Sequence, residues 1–119
     1  MKIKSTSIED VLLINPDLHS DSRGYFYESF NQQKFSSLIG RSFVPVQDNQ
    51  SFSQQGTLRG IHFQVNPMCQ AKLIRVVDGE IYDVAVDLRK SSSTYCEWVG
   101  VKLSSSDHNQ LFIPEGFGH

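Results

Sequence analysis

Lys72-Leu73-Ile74-Arg75-Val76-Val77-Asp78-Gly79-Glu80-Ile81-Tyr82-Asp83-Val84-Ala85-Val86-Asp87-Leu88 is the stretch that decides the fold class. Two runs rich in β-branched residues flank Asp78-Gly79, a dipeptide suited to the left-handed backbone of a tight turn. The pattern predicts a hairpin of 72–77 against 80–88. Alternation in the second arm puts Tyr82, Val84, Val86 and Leu88 on one face and Ile81, Asp83, Ala85 and Asp87 on the other. Asp83 then lies opposite the apolar face, and Asp87 with Arg89 reads as a structural pair.

The same signals extend in both directions. Val11-Leu12-Leu13-Ile14 reads as a buried strand stopped by Asn15-Pro16, and Asp21-Ser22-Arg23-Gly24 as a turn before the aromatic strand 25–30. Asn31 caps a helix over 32–39, with Phe35, Leu38 and Ile39 on one side and Gly40 as its stop. After it everything is β: an edge strand over 43–49 interrupted by Pro45, then 98–103 and 110–113 around the polar turn Ser104-Ser105-Ser106-Asp107. Tyr25, Phe30, Phe43, Trp98 and Phe112 are expected in the core. Short strands at regular spacing with a single short helix define an all-β antiparallel sandwich or barrel, with a jelly roll as the expected form.

A chain of 119 residues is expected to form one domain. A formal charge of −2 without a basic run offers nucleic acid no general attraction. Cys69 and Cys96 fit no zinc spacing and are expected as free thiols. No apolar h-region follows Met1, and no apolar stretch nears membrane-spanning length, so the expectation is a cytoplasmic protein without a membrane partner.

Against that neutral background, local cations stand out. Leu58-Arg59-Gly60-Ile61-His62-Phe63-Gln64 places Arg59 near His62, and Lys72 follows ten residues after His62. Clustered cations suit an anionic ligand such as a phosphate or pyrophosphate. Strict alternation would put Arg59 and His62 on opposite faces, so a bulge or loop at Gly60 is expected to re-aim one of them. The spacing of His62, Gln64, Lys72 and Gly79, with Pro114-Glu115-Gly116-Phe117-Gly118-His119 as a second motif, is similar to that of the cupins. In a metal-binding cupin, histidine and glutamate ligands would stand near Gln64 and Lys72. A lysine ammonium only donates, so it opposes a bound cation. Two imidazoles alone make a poor closed metal site. The reading is a metal-free cupin, with a metal cupin enzyme as the weaker alternative.

The motif order becomes specific when the chain is taken whole. Asp21-Ser22-Arg23-Gly24, Phe26, Glu28, Gln47-Asp48-Asn49, the 58–64 segment, Lys72, Gly79 to Arg89 and Ile113-Pro114-Glu115-Gly116-Phe117 resemble the dTDP-4-dehydrorhamnose 3,5-epimerase family. Gly118 departs from the family's usual Ala, which should affect packing only.

The resemblance implies epimerisation at carbons 3 and 5 of dTDP-4-dehydro-6-deoxy-D-glucose to dTDP-4-dehydro-L-rhamnose, with no cofactor. It implies His62 as base and Lys72 as the group that stabilises the enolate. Arg23 and Arg59 would hold the pyrophosphate, and His119 would contact the sugar. Gln47, Asp48 and Asn49 would line the nucleotide-sugar wall. Glu28 would accept from thymine with Phe26 packed nearby, and Asp83 would orient a pocket cation. A homodimer is implied, in which Phe26 and Glu28 serve the partner's site. The family's chain continues past its counterpart of His119, with a tyrosine acid, an aspartate that orients the base and the last strands of the jelly roll. The expectation is therefore a C-terminally truncated epimerase, with a binding-only dTDP-sugar cupin as the alternative.

Overall fold

The computed structural model describes residues 1–119 and is built from antiparallel strands with one helix. The strands are β1 (Lys2–Ser5), β2 (Leu12–Asn15), β3 (His19–Asp21), β4 (Gly24–Phe26), β5 (Lys72–Arg75), β6 (Glu80–Asp87), β7 (Trp98–Ser104), β8 (Gln110–Ile113) and β9 (Phe117–Gly118); α1 spans Gln32–Leu38. Two compact units form: Met1–Asp17 with Ile61–His119, and Leu18–Gly60. No helix is long and apolar enough to cross a membrane.

The first unit is a sandwich of two sheets, ordered β1-β2-β8-β5 and β7-β6-β9. Strand β8 pairs with β2 on one side and β5 on the other, and all of Gln110, Leu111, Phe112 and Ile113 are buried. A central strand covered on both faces reads as a continuous apolar run, as this one largely does. Ile8, Val11, Leu111 and Ile113 pack against Ala85, Val99, Leu103 and Phe117 of the facing sheet. Each large aliphatic side chain so buried stabilises by about 1.5–3 kcal/mol.

The hairpin expected at Asp78-Gly79 does not form. Strand β5 pairs with β8 and β6 pairs with β7, so the turn carries the chain from one sheet to the other. Gly79 adopts φ +75°, as the turn signal requires, but its carbonyl accepts from Ser105 N–H at 2.9 Å rather than closing a two-strand ladder. The reason lies in the partners: Lys72 and Ile74 face Ile113 and Leu111, both buried, which gives β5 a better apolar surface than β6 would.

The alternation along β6 is as expected, but its buried face is the one bearing Asp83, Ala85 and Asp87. The Tyr82, Val84 and Val86 face is the more open. Trp98, paired with Val86, is 60% exposed, so it is not core.

The second unit is smaller. Strands β3 and β4 form a hairpin in which Asp21 opposes Gly24, with Gly24 at φ +135°. The strand expected over 25–30 stops at Phe26, and Tyr25, 60% exposed, is not core. Helix α1 starts as its sequence dictates: Asn31 Oδ1 accepts from Lys34 N–H at 3.1 Å, and Gly40 follows the C-cap Ile39 at φ +69°. Phe35 buries the inner face of α1 against Phe30 and Phe43, at ring separations of 5.5 and 5.1 Å. Residues 43–49 join no sheet; Pro45 lacks a donor, and the segment finds no ladder partner.

Candidate active site

Three of the expected residues, His62, His119 and Asp83, come together in the first unit, with His62 exposed and Asp83 buried. His62 N–H donates to the His119 carbonyl at 2.6 Å, and His119 N–H donates back to the His62 carbonyl at 2.9 Å. Residues that exchange both bonds stand directly opposite, with Cα atoms roughly 5.5 Å apart and side chains on the same side. The two imidazoles are therefore neighbours. The segment around His62 thus adds itself to the edge of β9. Of the bulge or loop expected at Gly60, the chain takes the loop, with Gly60 at φ +115°, and His62 is aimed by its pairing with His119.

Phe117 belongs to the core, so two residues on His119 points from the same face of its strand. Continuing the register of Val86 with Gly118 puts Ala85 opposite His119 and Asp83 diagonal to it. Diagonal cross-strand neighbours are within reach of long side chains, and the small Ala85 leaves the ring room to lean. His119 Nε2 and Asp83 Oδ1 are 2.5 Å apart. Asp83 is 5% exposed, and its Oδ2 is buried with no hydrogen-bond partner. The side chain that Asp83 meets is thus the imidazole of His119. Lys72 shares the inward face of β5 with Ile74, which packs on the core.

A second network fixes the strand that brings His119 into place. Asp87, 0% exposed, accepts from Arg89 Nε at 2.9 Å, Arg89 Nη2 at 2.7 Å, Ser92 Oγ at 2.6 Å and Thr94 Oγ1 at 2.6 Å. The Arg89 guanidinium holds the Asp87 carboxyl far below the usual carboxylate range, helped by the two hydroxyls against the opposing effect of burial. Arg89 is raised in turn, chiefly by Asp87 and then by Asp10, whose carboxylate is 2.8 Å from Nη1. The sequence identified the pair, but not Asp10, Ser92 and Thr94. No three His, Cys, Asp or Glu side chains converge in a way that would hold a metal ion.

The remaining expected residues lie in the second unit. Arg23 pairs with Asp21 at 2.6 Å and is otherwise exposed, and this contact lowers the Asp21 pKa. Glu28 accepts from Lys34 at 2.8 Å and from Asn31 at 3.3 Å; Lys34 is the main cause of its lowered pKa. Phe26 is 72% exposed. Gln47 Nε2 donates to Asn49 Oδ1 at 3.1 Å, while Asp48 is exposed between them. Arg59 donates to Ser53 Oγ at 2.9 Å and to the Phe52 carbonyl at 2.8 Å, which fixes its guanidinium locally.

An antiparallel β-sandwich that sets His62 and His119 opposite each other and buries Asp83 against His119 defines a cupin-like protein. The family model for dTDP-4-dehydrorhamnose 3,5-epimerase matches residues 5–119, and the chain belongs to that family. It is 53% identical over 119 residues to the dTDP-4-dehydrorhamnose 3,5-epimerase of Shigella flexneri, covering all of this chain and 66% of that protein. The crystal structure of the enzyme from Elizabethkingia anophelis superposes with a TM-score of 0.95 at 44% identity, over 100% of this chain and 65% of the other. The dTDP-6-deoxy-D-glucose-3,5-epimerase of Legionella pneumophila, in complex with dTDP-4-keto-L-rhamnose, superposes at 0.94 with 45% identity, over 99% and 62%. The chain thus spans about two thirds of the length of these relatives.

Proposed function

We propose that the protein containing this chain epimerises carbons 3 and 5 of dTDP-4-dehydro-6-deoxy-D-glucose, giving dTDP-4-dehydro-L-rhamnose. The observation that carries the reading is the His62–His119 pair in a chain of an epimerase family. The ketone acidifies the proton on each flanking carbon. His62, an imidazole suited to proton transfer near neutrality, removes that proton. The Lys72 ammonium stabilises the enolate oxygen as charge develops on it. A proton returned to the opposite face completes each inversion, and none of the residues of this chain is assigned that role. Proton leaves and proton returns, so the net reaction needs neither an oxidant nor a redox cofactor.

Substrate binding falls to the other members. Arg23 and Arg59 carry the fixed charge for the pyrophosphate, where guanidinium forks match phosphate oxygens. His119 contacts the sugar. Gln47, Asp48 and Asn49 line the nucleotide sugar, and Glu28 accepts from thymine with Phe26 packed beside it. The exposed ring of Phe26 supports a working homodimer in which β4 serves the partner's site. We place the protein in the cytoplasm.

Solvent deuterium exchange into the keto-sugar tests the reading. Incorporation at carbons 3 and 5, followed by NMR, is the expected result for the full-length protein. Binding of dTDP without incorporation would replace the enzyme by a binding-only cupin.

A further inference from the structure

We propose that Asp83 is a positioning residue that acts through His119, holding that imidazole in one tautomer and one orientation for the sugar. The inference rests on the reading above and extends it to a residue whose burial the fold itself does not explain.

Strand β6 offers its own control. Asp83 and Asp87 project from the same buried face, separated by Ala85. Asp87 is surrounded by Arg89, Ser92 and Thr94, as a buried structural carboxylate should be. Asp83 has a single partner, His119, and its second oxygen is buried without any. A buried carboxylate carries a desolvation cost that an apolar residue at this position would avoid. Such a group is kept for what its one bond does.

That bond has a defined consequence. A carboxylate only accepts, so the Nε2 atom of His119 must carry the proton it shares with Asp83. Nδ1 is then the remaining ring nitrogen for another partner, and its role is set by the Asp83 contact. The opposed His62 has its backbone fixed against His119 by two hydrogen bonds, so an error in the orientation of the His119 ring would be felt beside the base. Partners that orient a working imidazole commonly contribute about 10–100-fold to activity.

The test uses Asp83→Asn in the full-length protein, with two readouts. Nitrogen-15 spectra of histidine should show His119 as the single Nε2–H tautomer in the unmodified protein and as a tautomer mixture in D83N. Turnover of the keto-sugar should show kcat lower by about 10–100-fold, with KM and dTDP affinity changed less than about threefold. A mixed His119 tautomer in the unmodified protein overturns the proposal, and so does D83N with an unchanged tautomer or unchanged kcat. If D83N does not fold, the spectrum of the unmodified protein alone decides. If the unmodified protein binds dTDP but never exchanges the sugar, the epimerase reading fails, while the tautomer still decides whether Asp83 locks His119.

Discussion

The Arg89 guanidinium carbon sits 4.6 Å from the centre of the Phe117 ring, over β9, the strand that leads into His119. The same side chain reaches Asp87 and Asp10, and its Cγ occupies the space where a Cβ on Gly116 would lie, at 2.6 Å. Gly116, at φ +86°, is therefore required twice over: for its backbone and for the passage of Arg89. Arg89→Ala removes the only cation beside a fully buried carboxylate. We expect a loss of stability of roughly 3–5 kcal/mol, the range for breaking a buried pair, measured as a lower urea midpoint. Arg89→Lys should recover only part of it, because an ammonium cannot bridge two carboxylates and lie flat on a ring at once.

Asp87 gives the fold an acid limit. Its folded-state pKa is depressed below the unfolded value of about 3.9. Its contribution to stability is therefore fully present above that value and is lost as pH falls toward the folded pKa. The urea midpoint should drop steeply below about pH 4. In Asp87→Asn the midpoint should be lower at neutral pH and change less on acidification. An acid arm as steep in D87N as in the unmodified protein would assign it to other carboxylates.

The assignment of His62 separates chemistry from binding. His62→Asn keeps size and hydrogen-bonding capacity but removes the imidazole that the proposed reaction uses as its base. Solvent exchange at carbons 3 and 5 should fall by about 10²–10⁴-fold, with dTDP affinity unchanged by calorimetry. Exchange that persists in H62N would move the base elsewhere.

What the sequence made legible follows from the range of the forces involved. Local rules held well: Asn31 caps α1, Gly79 turns with positive φ, and Asp87 finds Arg89 two residues away. Non-local choices did not. The turn at Asp78-Gly79 is real, yet whether its arms pair depends on β8, more than thirty residues downstream, and no periodicity in 72–88 encodes that. The alternation in β6 was correct, but which face is inside depends on which sheet covers it; the apolar count favoured Tyr82, Val84 and Val86, and the sandwich buried Asp83, Ala85 and Asp87 instead. Among the site residues, His62, Lys72 and His119 were recognisable as types in a pattern. The contact between Asp83 and His119 was not, because it arises from a cross-strand diagonal between 83 and 119.

Gly118 tests how tightly the imidazole pair is held. A Cβ there would lie 2.6 Å from Ile61 Cγ2 and 3.1 Å from Leu88 Cδ1. Ile61 precedes His62, so moving its branched side chain pulls on the backbone that pairs with His119. The side chain is 55% exposed, which gives it somewhere to go, but its Cγ2 branch cannot swing away without changing χ1. Gly118→Ala alone should therefore cost about 1–3 kcal/mol, as overpacking does, and should speed amide exchange at His62 and His119. Ile61→Ala in the same chain removes the colliding methyl, so the double variant should recover most of that loss. Additive effects of the two substitutions would show that Ile61 is not what fills the space of the missing Cβ.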